Sequence, residues 1–433
     1  MIIIAENNNS TISTKSKQIN NNNQNNKQFN KSKTENPNSN NKNQIYNNLI
    51  ITICVVLFIT CVIMLAGNLP KKENLKLAGF SFMENNKFGF MNKTGKILIP
   101  ALYDERIYSF SEKLAVVCSD GKYGYVDKTG KQKIKINFDS ARAFSENLAV
   151  VSVDGYYGYI NKKGDFVIPA KFEDAYSFND GFAAVKIGGY WGYINKKGVI
   201  KINPQYDTVS NFSNGCAAVE KNGLWGLINK KGDNINEIEY QEIDKSFGDS
   251  FILAKKDGNY GYINKKGKII IDFIYKYAGI FSENLSRVSK NNLYGYIDRK
   301  ANFMIYALYT ECSDFSEGMA FALEDIDNSD TDLYCVIDKK GYQVIAPQFT
   351  GYRKFKGGVA VVSVGDKWGV IDKKGRYIIN PQYYAISDFE SNLAIVRMGN
   401  KVGVINKKGD IVIDIKYENN DSQNYYGLSM VME

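Results

Sequence analysis

The chain has 433 residues, 44% of them hydrophobic and 13% aromatic, with six cysteines in no CxxC pair and no histidine. Without histidine the commonest general base and metal ligand are missing, so we expect no catalytic, cofactor-binding or metal-binding residue and no redox motif. The net charge is +9, of which residues 1–46 carry +4 and residues 70–76 carry +2. Residues 77–433 therefore carry only +3, and a charge this low predicts no nucleic-acid partner.

Residues 1–46 are predicted to form a disordered tail. They contain 15 Asn, and Ser, Thr, Lys and Gln make up most of the remainder. Such a segment cannot bury enough apolar surface to offset the entropy of ordering it. We interpret it as a flexible, Asn-rich tether.

An uncharged apolar run, LIITICVVLFITCVIMLA, extends over 18 residues from Leu49 to Ala66. As a helix it would be about 27 Å long at about 1.5 Å per residue, which is near the lower limit for spanning a bilayer. A buried core helix, a cleaved signal peptide and a lipoprotein-type site at Cys61 are the alternatives. We favour one transmembrane helix, an uncleaved single-pass anchor over residues 47–69, followed by a linker over residues 70–76.

The orientation of this anchor follows from the lysines around it. Three precede the run and three follow it, namely Lys31, Lys33, Lys42, Lys71, Lys72 and Lys76. The local count is a tie, and the remaining lysines of the tail favour a cytoplasmic N-terminus. This predicts a cell-membrane protein whose residues 77–433 are extracellular, at the cell surface. An intracellular scaffold attached to the inner membrane face is the alternative.

One sequence motif, which we call the repeated phrase, recurs through residues 77–433. It consists of an aromatic-Gly pair, two apolar residues and Asn-Lys-Lys-Gly, and its clearest copy is WGYINKKG at Trp191 to Gly198. Its spacing is 34 or 35 residues, except for one 40-residue interval with an insertion near Asp325 to Asp332. A fixed period of this length is typical of a repeat architecture. The first glycine of the phrase, which Cys335 replaces in one copy, stands at Gly89, Gly124, Gly158, Gly192, Gly226, Gly261, Gly295, Gly369 and Gly403.

Each unit is predicted to contain three strands. Leu148 to Val153 is a run of aliphatic residues bounded by polar turns, and an Asp154-Gly155 hairpin turn joins it to Tyr157 to Ile160. A third, shorter strand begins at Asp165 and ends before Pro169.

The Asn-Lys-Lys-Gly segment is predicted to be a turn between the second and third strands. Asn or Asp accepts a hydrogen bond from the backbone two residues on, and Gly supplies a positive φ. Ala301 replaces that glycine once, at a cost of about 1–2 kcal/mol, so we expect a distorted turn there. We interpret the lysine pairs as charged tips that keep sheet edges soluble; a stripe that binds an anionic ligand is the alternative.

Three aromatic columns recur with the same period, and we interpret them as the packing between neighbouring units. Each ring can bury 150–250 Å². The first column opens the repeated phrase, for example at Tyr157 and Trp191; the second lies before the first strand, as at Phe144; and the third follows the third strand, as at Phe172.

On these residues the chain resembles the WG-repeat, or KWG-repeat, family of bacterial proteins. The resemblance rests on Trp191-Gly192, Trp225-Gly226 and Trp368-Gly369, on the Asn/Asp-Lys-Lys-Gly turns, and on Pro204-Gln205-Tyr206-Asp207 and Pro381-Gln382-Tyr383. It covers residues 77–433 in about ten copies. It implies a β-rich repeat domain, and it implies no general catalytic activity.

The expected architecture is an all-β, open and curved β-solenoid of about ten three-stranded units. The array begins with a strand of the first kind, Leu77 to Met83, and ends with another, Leu428 to Met432. Because a closed propeller usually completes its last blade with strands from both ends, this duplicate strand favours the open form. A closed, propeller-like toroid is the alternative.

The expected function is a membrane-anchored repeat protein that presents an extended surface for binding a protein or a cell-wall polysaccharide, without catalysis. A glycan-active enzyme is the alternative, because carboxylates recur after the second aromatic column and could supply acid–base pairs: Glu112, Glu146, Asp180, Glu283 and Glu317. Recurrence argues against this, since a catalytic pair occurs once. If a local site exists, we expect it at Glu324 to Tyr334, the loop that differs from its counterparts.

Overall fold

A computed structural model describes residues 75–247, 250–324, 333–419 and 427–433. The chain divides into two units, Met1–Gly67 and Asn68–Glu433, and every described residue belongs to the second. The predicted tail and anchor, and the linker up to residue 74, lie outside the described residues. Within the described ranges no helix is long and apolar enough to cross a membrane.

The described residues form 36 strands and no helix. In chain order the strands are β1 (Leu77–Glu84), β2 (Lys87–Asn92), β3 (Ile97–Tyr103), β4 (Ala115–Ser119), β5 (Lys122–Val126), β6 (Gln132–Phe138), β7 (Ser140–Ala141), β8 (Ala149–Val153), β9 (Tyr156–Ile160), β10 (Phe166–Phe172), β11 (Asp174–Ala175), β12 (Phe182–Ile187), β13 (Tyr190–Asn195), β14 (Ile200–Tyr206), β15 (Thr208–Val209), β16 (Cys216–Lys221), β17 (Leu224–Asn229), β18 (Glu242–Ile243), β19 (Ile252–Lys256), β20 (Asn259–Ile263), β21 (Ile269–Tyr275), β22 (Ser286–Lys290), β23 (Leu293–Ile297), β24 (Phe303–Cys312), β25 (Met319–Glu324), β26 (Tyr334–Asp338), β27 (Gln343–Phe349), β28 (Gly351–Tyr352), β29 (Val359–Val364), β30 (Lys367–Asp372), β31 (Tyr377–Tyr383), β32 (Ala385–Ile386), β33 (Leu393–Met398), β34 (Lys401–Asn406), β35 (Ile411–Glu418) and β36 (Leu428–Met432).

These strands form nine antiparallel sheets. A short strand, which we call the link strand, leads out of each preceding repeat. In a typical sheet it lies at one edge and is followed by the first, second and third strands of the repeat, as in β11-β12-β13-β14. The sheet β22 to β27 has six strands because β24 continues through the corner and pairs with β25, so it holds two repeats. In the fifth repeat the sheet ends at β17, and isolated bridges such as Trp225↔Tyr240 replace a third strand.

The sheets close into a propeller-like ring, so the predicted open solenoid is wrong. β36 pairs antiparallel with β1, in the position that a link strand takes in the other sheets. The first repeat has no preceding repeat to supply a link strand, and the C-terminal strand fills that edge. The amide of Lys76 donates to the carbonyl of Glu433 at 2.9 Å, and the amide of Glu433 returns the bond at 2.9 Å.

The hydrophobic core confirms the closure, because it lies between repeats and not at one centre. Ten clusters of buried side chains join the ten pairs of neighbouring repeats. One of them combines Phe80 and Phe82 of the first repeat with Val404 and Ile413 of the last. Every repeat therefore has two neighbours, and the ring has no free end.

Aromatic side chains supply much of each interface. Tyr159, of the second strand, packs against Phe178 of the next repeat with ring centroids 4.8 Å apart, and its hydroxyl donates to the carbonyl of Tyr176 at 2.9 Å. Tyr193 repeats both contacts with Phe212 and Ser210. The sequence prediction included the Phe column but missed this tyrosine column, whose polar tips are satisfied by backbone carbonyls.

The Asn-Lys-Lys-Gly turns have the predicted chemistry. The Asn161 side-chain oxygen accepts from the amides of Lys163 at 2.8 Å and Asp165 at 3.1 Å. Gly164 has φ +90°, and a Cβ added there would lie 3.1 Å from the side chain of Ile134 in the preceding repeat. Ala301 has φ +65° and keeps the turn's hydrogen bonds, so the distorted turn predicted there is not found.

Candidate binding surface

The ring has two ends with different turns. The hairpin turns between first and second strands, such as Asp154-Gly155, lie at one end, which we call the hairpin end. The turns between second and third strands, such as Asn161 to Asp165, lie at the opposite end together with the turns that precede the first strands, such as Ser145-Glu146. We call this the basic end, because each of its ten second-to-third-strand turns carries net positive charge.

The carboxylates considered for glycan hydrolysis all lie at the basic end, where they join repeats. Glu146 accepts from the amide of Gly181 at 3.2 Å and pairs with Lys196 at 3.0 Å. Asp180 accepts from the amide of Gly215 at 2.7 Å and pairs with Lys230 at 2.6 Å. The other three, Glu112, Glu283 and Glu317, form equivalent bonds to an amide and a lysine of later repeats.

The electrostatics of Glu283 and Glu317 are opposite to those of a general acid. Burial raises the pKa of Glu283, but hydrogen bonds from Lys339 and from the Gly318 and Glu317 amides bring the pKa below its usual value. Glu317 has the same balance, with the Gly358 and Gly357 amides and Lys373 lowering its pKa. A glycosidase acid needs a raised pKa, so the geometry supports a structural role.

The two lysines of each turn differ in their surroundings. In six of the ten turns the first lysine forms an ion pair with a carboxylate of another repeat, as Lys162 does with Glu112 at 2.7 Å. The second is exposed and makes no side-chain ion pair within the described ranges. It occurs in eight of the ten turns, at Lys163, Lys197, Lys231, Lys266, Lys300, Lys340, Lys374 and Lys408; Thr94 and Thr129 replace it in the first two repeats.

At the hairpin end, members of the first aromatic column form a partly exposed row, which we call the aromatic rim. Three of its tyrosines donate their hydroxyls to carboxylates of the adjacent link segments: Tyr123 to Glu105 at 2.6 Å, Tyr260 to Glu242 at 2.8 Å, and Tyr334 to Glu311 at 2.7 Å. The half-buried rings of the rim are Tyr123, Tyr157, Tyr260, Tyr294, Tyr334 and Trp368.

Cationic side chains lie beside these aromatic rings. The Lys245 ammonium lies 3.7 Å from the centroid of the Trp225 ring. The Arg287 guanidinium lies 5.0 Å from the Tyr277 ring and donates to the Tyr277 hydroxyl at 2.6 Å. Aromatic rings and arginine are the residue types enriched at the centres of protein recognition surfaces.

Arg142 and its counterparts also link successive repeats. Arg142 reaches Asp174 at 3.4 Å, and the Arg353 Nε donates to the carbonyl of Ile386 at 2.9 Å, 33 residues away. Because these neighbouring link segments touch each other directly, we place the link-strand edges towards the ring axis and the third strands at the outer perimeter.

The irregular loop predicted as a local site is only partly described, since residues 325–332 lie outside the described ranges. Its flanks join the six-stranded sheet, where Ala322 pairs with Cys335. The Tyr334 ring packs edge-on against Tyr352 with centroids 4.7 Å apart. Cys118, Cys216, Cys312 and Cys335 are buried and form no disulfide among the described residues, as expected of isolated thiols. Burial raises the pKa of Cys312 to about 12.

Comparison with known proteins gives one family. The family model for WG containing repeat matches ten consecutive segments, residues 88–123, 123–157, 157–191, 191–225, 225–260, 260–294, 294–325, 334–368, 368–401 and 403–430. No curated protein matches the chain.

Among solved structures, the chain is similar to a eukaryotic initiation factor, with 12% identity, coverage of 70% of this chain and 95% of the other, and a TM-score of 0.41. Hsv2p of Kluyveromyces lactis has 10% identity, coverage of 60% and 96%, and a TM-score of 0.31. The extracellular domain of the putative hybrid two component system BT4673 from B. thetaiotaomicron has 11% identity, coverage of 81% and 59%, and a TM-score of 0.28. At TM-scores below 0.5, these likenesses carry no functional argument.

Proposed function

The chain belongs to the WG-repeat family, and on that premise we propose that it is a single-pass, membrane-anchored protein whose ring binds a protein or a cell-wall polysaccharide without catalysis. The observation that carries this proposal is the aromatic rim. Its half-buried rings combine apolar faces with hydrogen-bonding tips, and Glu105, Glu242 and Glu311 hold three of them in place. The membrane attachment rests on the apolar run from Leu49 to Ala66.

In the closed ring, the aromatic rim is the proposed binding surface, in place of the extended surface expected of an open solenoid. Rings that are fixed by a neighbouring carboxylate lose little further entropy when a ligand binds. Aromatic rings and arginine account for a disproportionate share of binding energy at protein interfaces. Binding is favoured over glycan hydrolysis because Glu112, Glu146 and Asp180 are occupied by lysines and backbone amides of other repeats.

A set of matched variants tests the rim. In the full chain, Tyr123→Ala, Tyr260→Ala and Tyr334→Ala together should weaken binding to purified cell walls or cross-linking to surface proteins by at least about tenfold, at about 0.5–1.5 kcal/mol per aromatic contact. The matching Tyr→Phe triple keeps the rings and should retain most binding. Undiminished binding by the alanine triple would refute the proposed surface.

The orientation of the anchor has its own test. Protease added to intact cells should degrade the ring if residues 77–433 are outside, as the tail lysines favour. A ring that stays protected until the cells are lysed would replace the cell-surface assignment with the intracellular scaffold.

A further inference from the structure

The exposed second lysines of the basic end share one surface and form no side-chain ion pair with the residues that the structure describes, and we infer that this surface docks on an anionic phospholipid bilayer. In six turns the first lysine is neutralised by a carboxylate, as in the Lys196–Glu146 and Lys230–Asp180 pairs. The second lysines, such as Lys197 and Lys231, are exposed and unpaired within the described ranges. Each adds a positive charge that can attract an anionic surface over roughly a Debye length, about 8 Å at physiological salt.

Exposed apolar side chains beside the lysines favour lipid over a soluble polyanion. The second residue after the turn glycine is a large apolar or aromatic residue with 38–58% exposure in six of the ten repeats, at Ile97, Phe166, Ile200, Ile269, Tyr377 and Ile411. Lysines next to exposed apolar and aromatic side chains are typical of surfaces that sit in the headgroup region of a bilayer. A polyanion would use the lysines alone.

The described chain enters the ring at the same end. β1 begins at the basic end, where Lys76 and Glu433 exchange backbone hydrogen bonds. In the sequence, eight residues, 67–74, lie between the apolar run and the first described residue. This step rests on the membrane attachment of the proposed function. With the basic end on the bilayer, the aromatic rim faces away from it and is free for a ligand.

The test uses the full chain, made by cell-free synthesis with vesicles of phosphatidylglycerol or of phosphatidylcholine alone. An amine-acylating reagent and mass spectrometry then report each lysine. We expect about fivefold slower acylation of the second lysines with phosphatidylglycerol only, the factor that corresponds to about 1 kcal/mol per lysine at an anionic surface. Lys221 and Lys401, exposed at the hairpin end, serve as internal controls and should not change.

Two sets of variants sharpen the result. Replacing Ile97, Ile200 and Ile411 by serine should reduce the protection, whereas the exposed Leu102, Ile274 and Leu308, farther along the third strands, should be replaceable without effect. Lys→Gln at the eight second-lysine positions should abolish the protection of the neighbouring first lysines.

Alkaline carbonate extraction, measured in parallel, separates this inference from the anchor. Protected second lysines in an extractable protein would support docking while refuting the anchor. A protein that resists extraction but shows equal acylation in both lipids would refute docking while leaving the anchor intact, and an extractable protein without protection would refute both. Equal protection by soluble polyphosphate without vesicles would overturn the lipid assignment.

Discussion

The two ends of the ring are held together over different distances along the chain. At the basic end, Ser145 donates to the carbonyl of Phe178, 33 residues on, and Asp180 binds Lys230, 50 residues on. At the hairpin end, Glu173 accepts from the amides of Gly188 and Gly189, only 15 and 16 residues on and within one sheet. The basic end therefore couples repeats to each other, while the hairpin end stabilises single sheets and leaves its aromatic rings accessible.

The largest effect should come from removing β36, which couples the last repeat to the first. Deleting residues 428–433 exposes the edge of β1 and the fully buried Phe80 and Phe82 and removes buried Leu428 and Val431. At about 1.5–3 kcal/mol per buried side chain, we expect a loss of at least about 5 kcal/mol in urea unfolding. The conservative variant Ser429→Thr should change stability little, and an unchanged unfolding midpoint after the deletion would mean that the ring does not depend on closure.

Two turn glycines, one at each end of the ring, allow the cost of the same substitution to be compared. Gly164 and Gly155 both have positive φ, but a Cβ at Gly164 meets Ile134 of the preceding repeat, while one at Gly155 meets nothing within 4 Å. Gly155→Ala should cost about 1–2 kcal/mol from backbone strain alone, and Gly164→Ala should cost about 1 kcal/mol more because the side chains are crowded. Thermal unfolding would measure both, and equal costs would show that the basic end is no more tightly coupled.

The one turn that already carries alanine permits the opposite change. Ala301 has φ +65°, a conformation that glycine adopts without strain. Ala301→Gly should therefore raise the free energy of unfolding by up to about 1 kcal/mol, reduced by the greater freedom of glycine in the unfolded chain. The control is Ala149→Gly in a buried strand, which should destabilise. A loss of stability in Ala301→Gly would indicate that the methyl group's packing outweighs the strain.

The smallest expected effect is the difference in stability lost when a glutamate is replaced at the basic end and at the hairpin end. Glu283→Gln at the basic end should cost about 1 kcal/mol at pH 7, whereas Glu242→Gln, whose side chain is 55% exposed at the hairpin end, should cost about 0.5 kcal/mol or less. The folded-state pKa of Glu283 lies below the ordinary 4.5, so its stabilisation is complete above that pH and is lost as the pH falls through the lowered value.

Urea titrations of wild type and Glu283→Gln between pH 7 and pH 3 would therefore converge at the acid end. A difference that stays constant across this range would argue that the carboxylate charge contributes nothing at the basic end.

The first two strands of each repeat and the turn chemistry could be predicted from the sequence because they depend on neighbouring residues. The predicted end of the third strand before Pro169 was wrong, because β10 continues through Pro169 to Phe172 and the outermost strand of a sheet tolerates proline. Asn161, Gly164 and the hairpin at Gly155 occupy the predicted turns. Closure could not be predicted from the same pattern, because the apolar run from Leu428 fits either a first strand or an edge partner. A usable signal was the missing link segment before Leu77, which leaves the first sheet one strand short.

Contacts between repeats were predictable only in part. The burial of the aromatic column containing Phe144 and Phe178 follows from its period. The bonds from Glu146 to Gly181 and Lys196 do not, since they depend on how far one sheet is rotated against the next. The aromatic rim was hidden for the same reason, because the period is identical for buried and half-buried columns.

Closure by the C-terminal strand also determines when the molecule can be finished during synthesis. Ribosomes make β1 before the other described strands, and its partner β36 emerges only after all of them. Until then the edge of β1 offers unpaired backbone groups to other nascent chains or to proteases. Any truncated translation product is left with that edge open, so cellular quality control has a structural mark that distinguishes unfinished copies from complete ones.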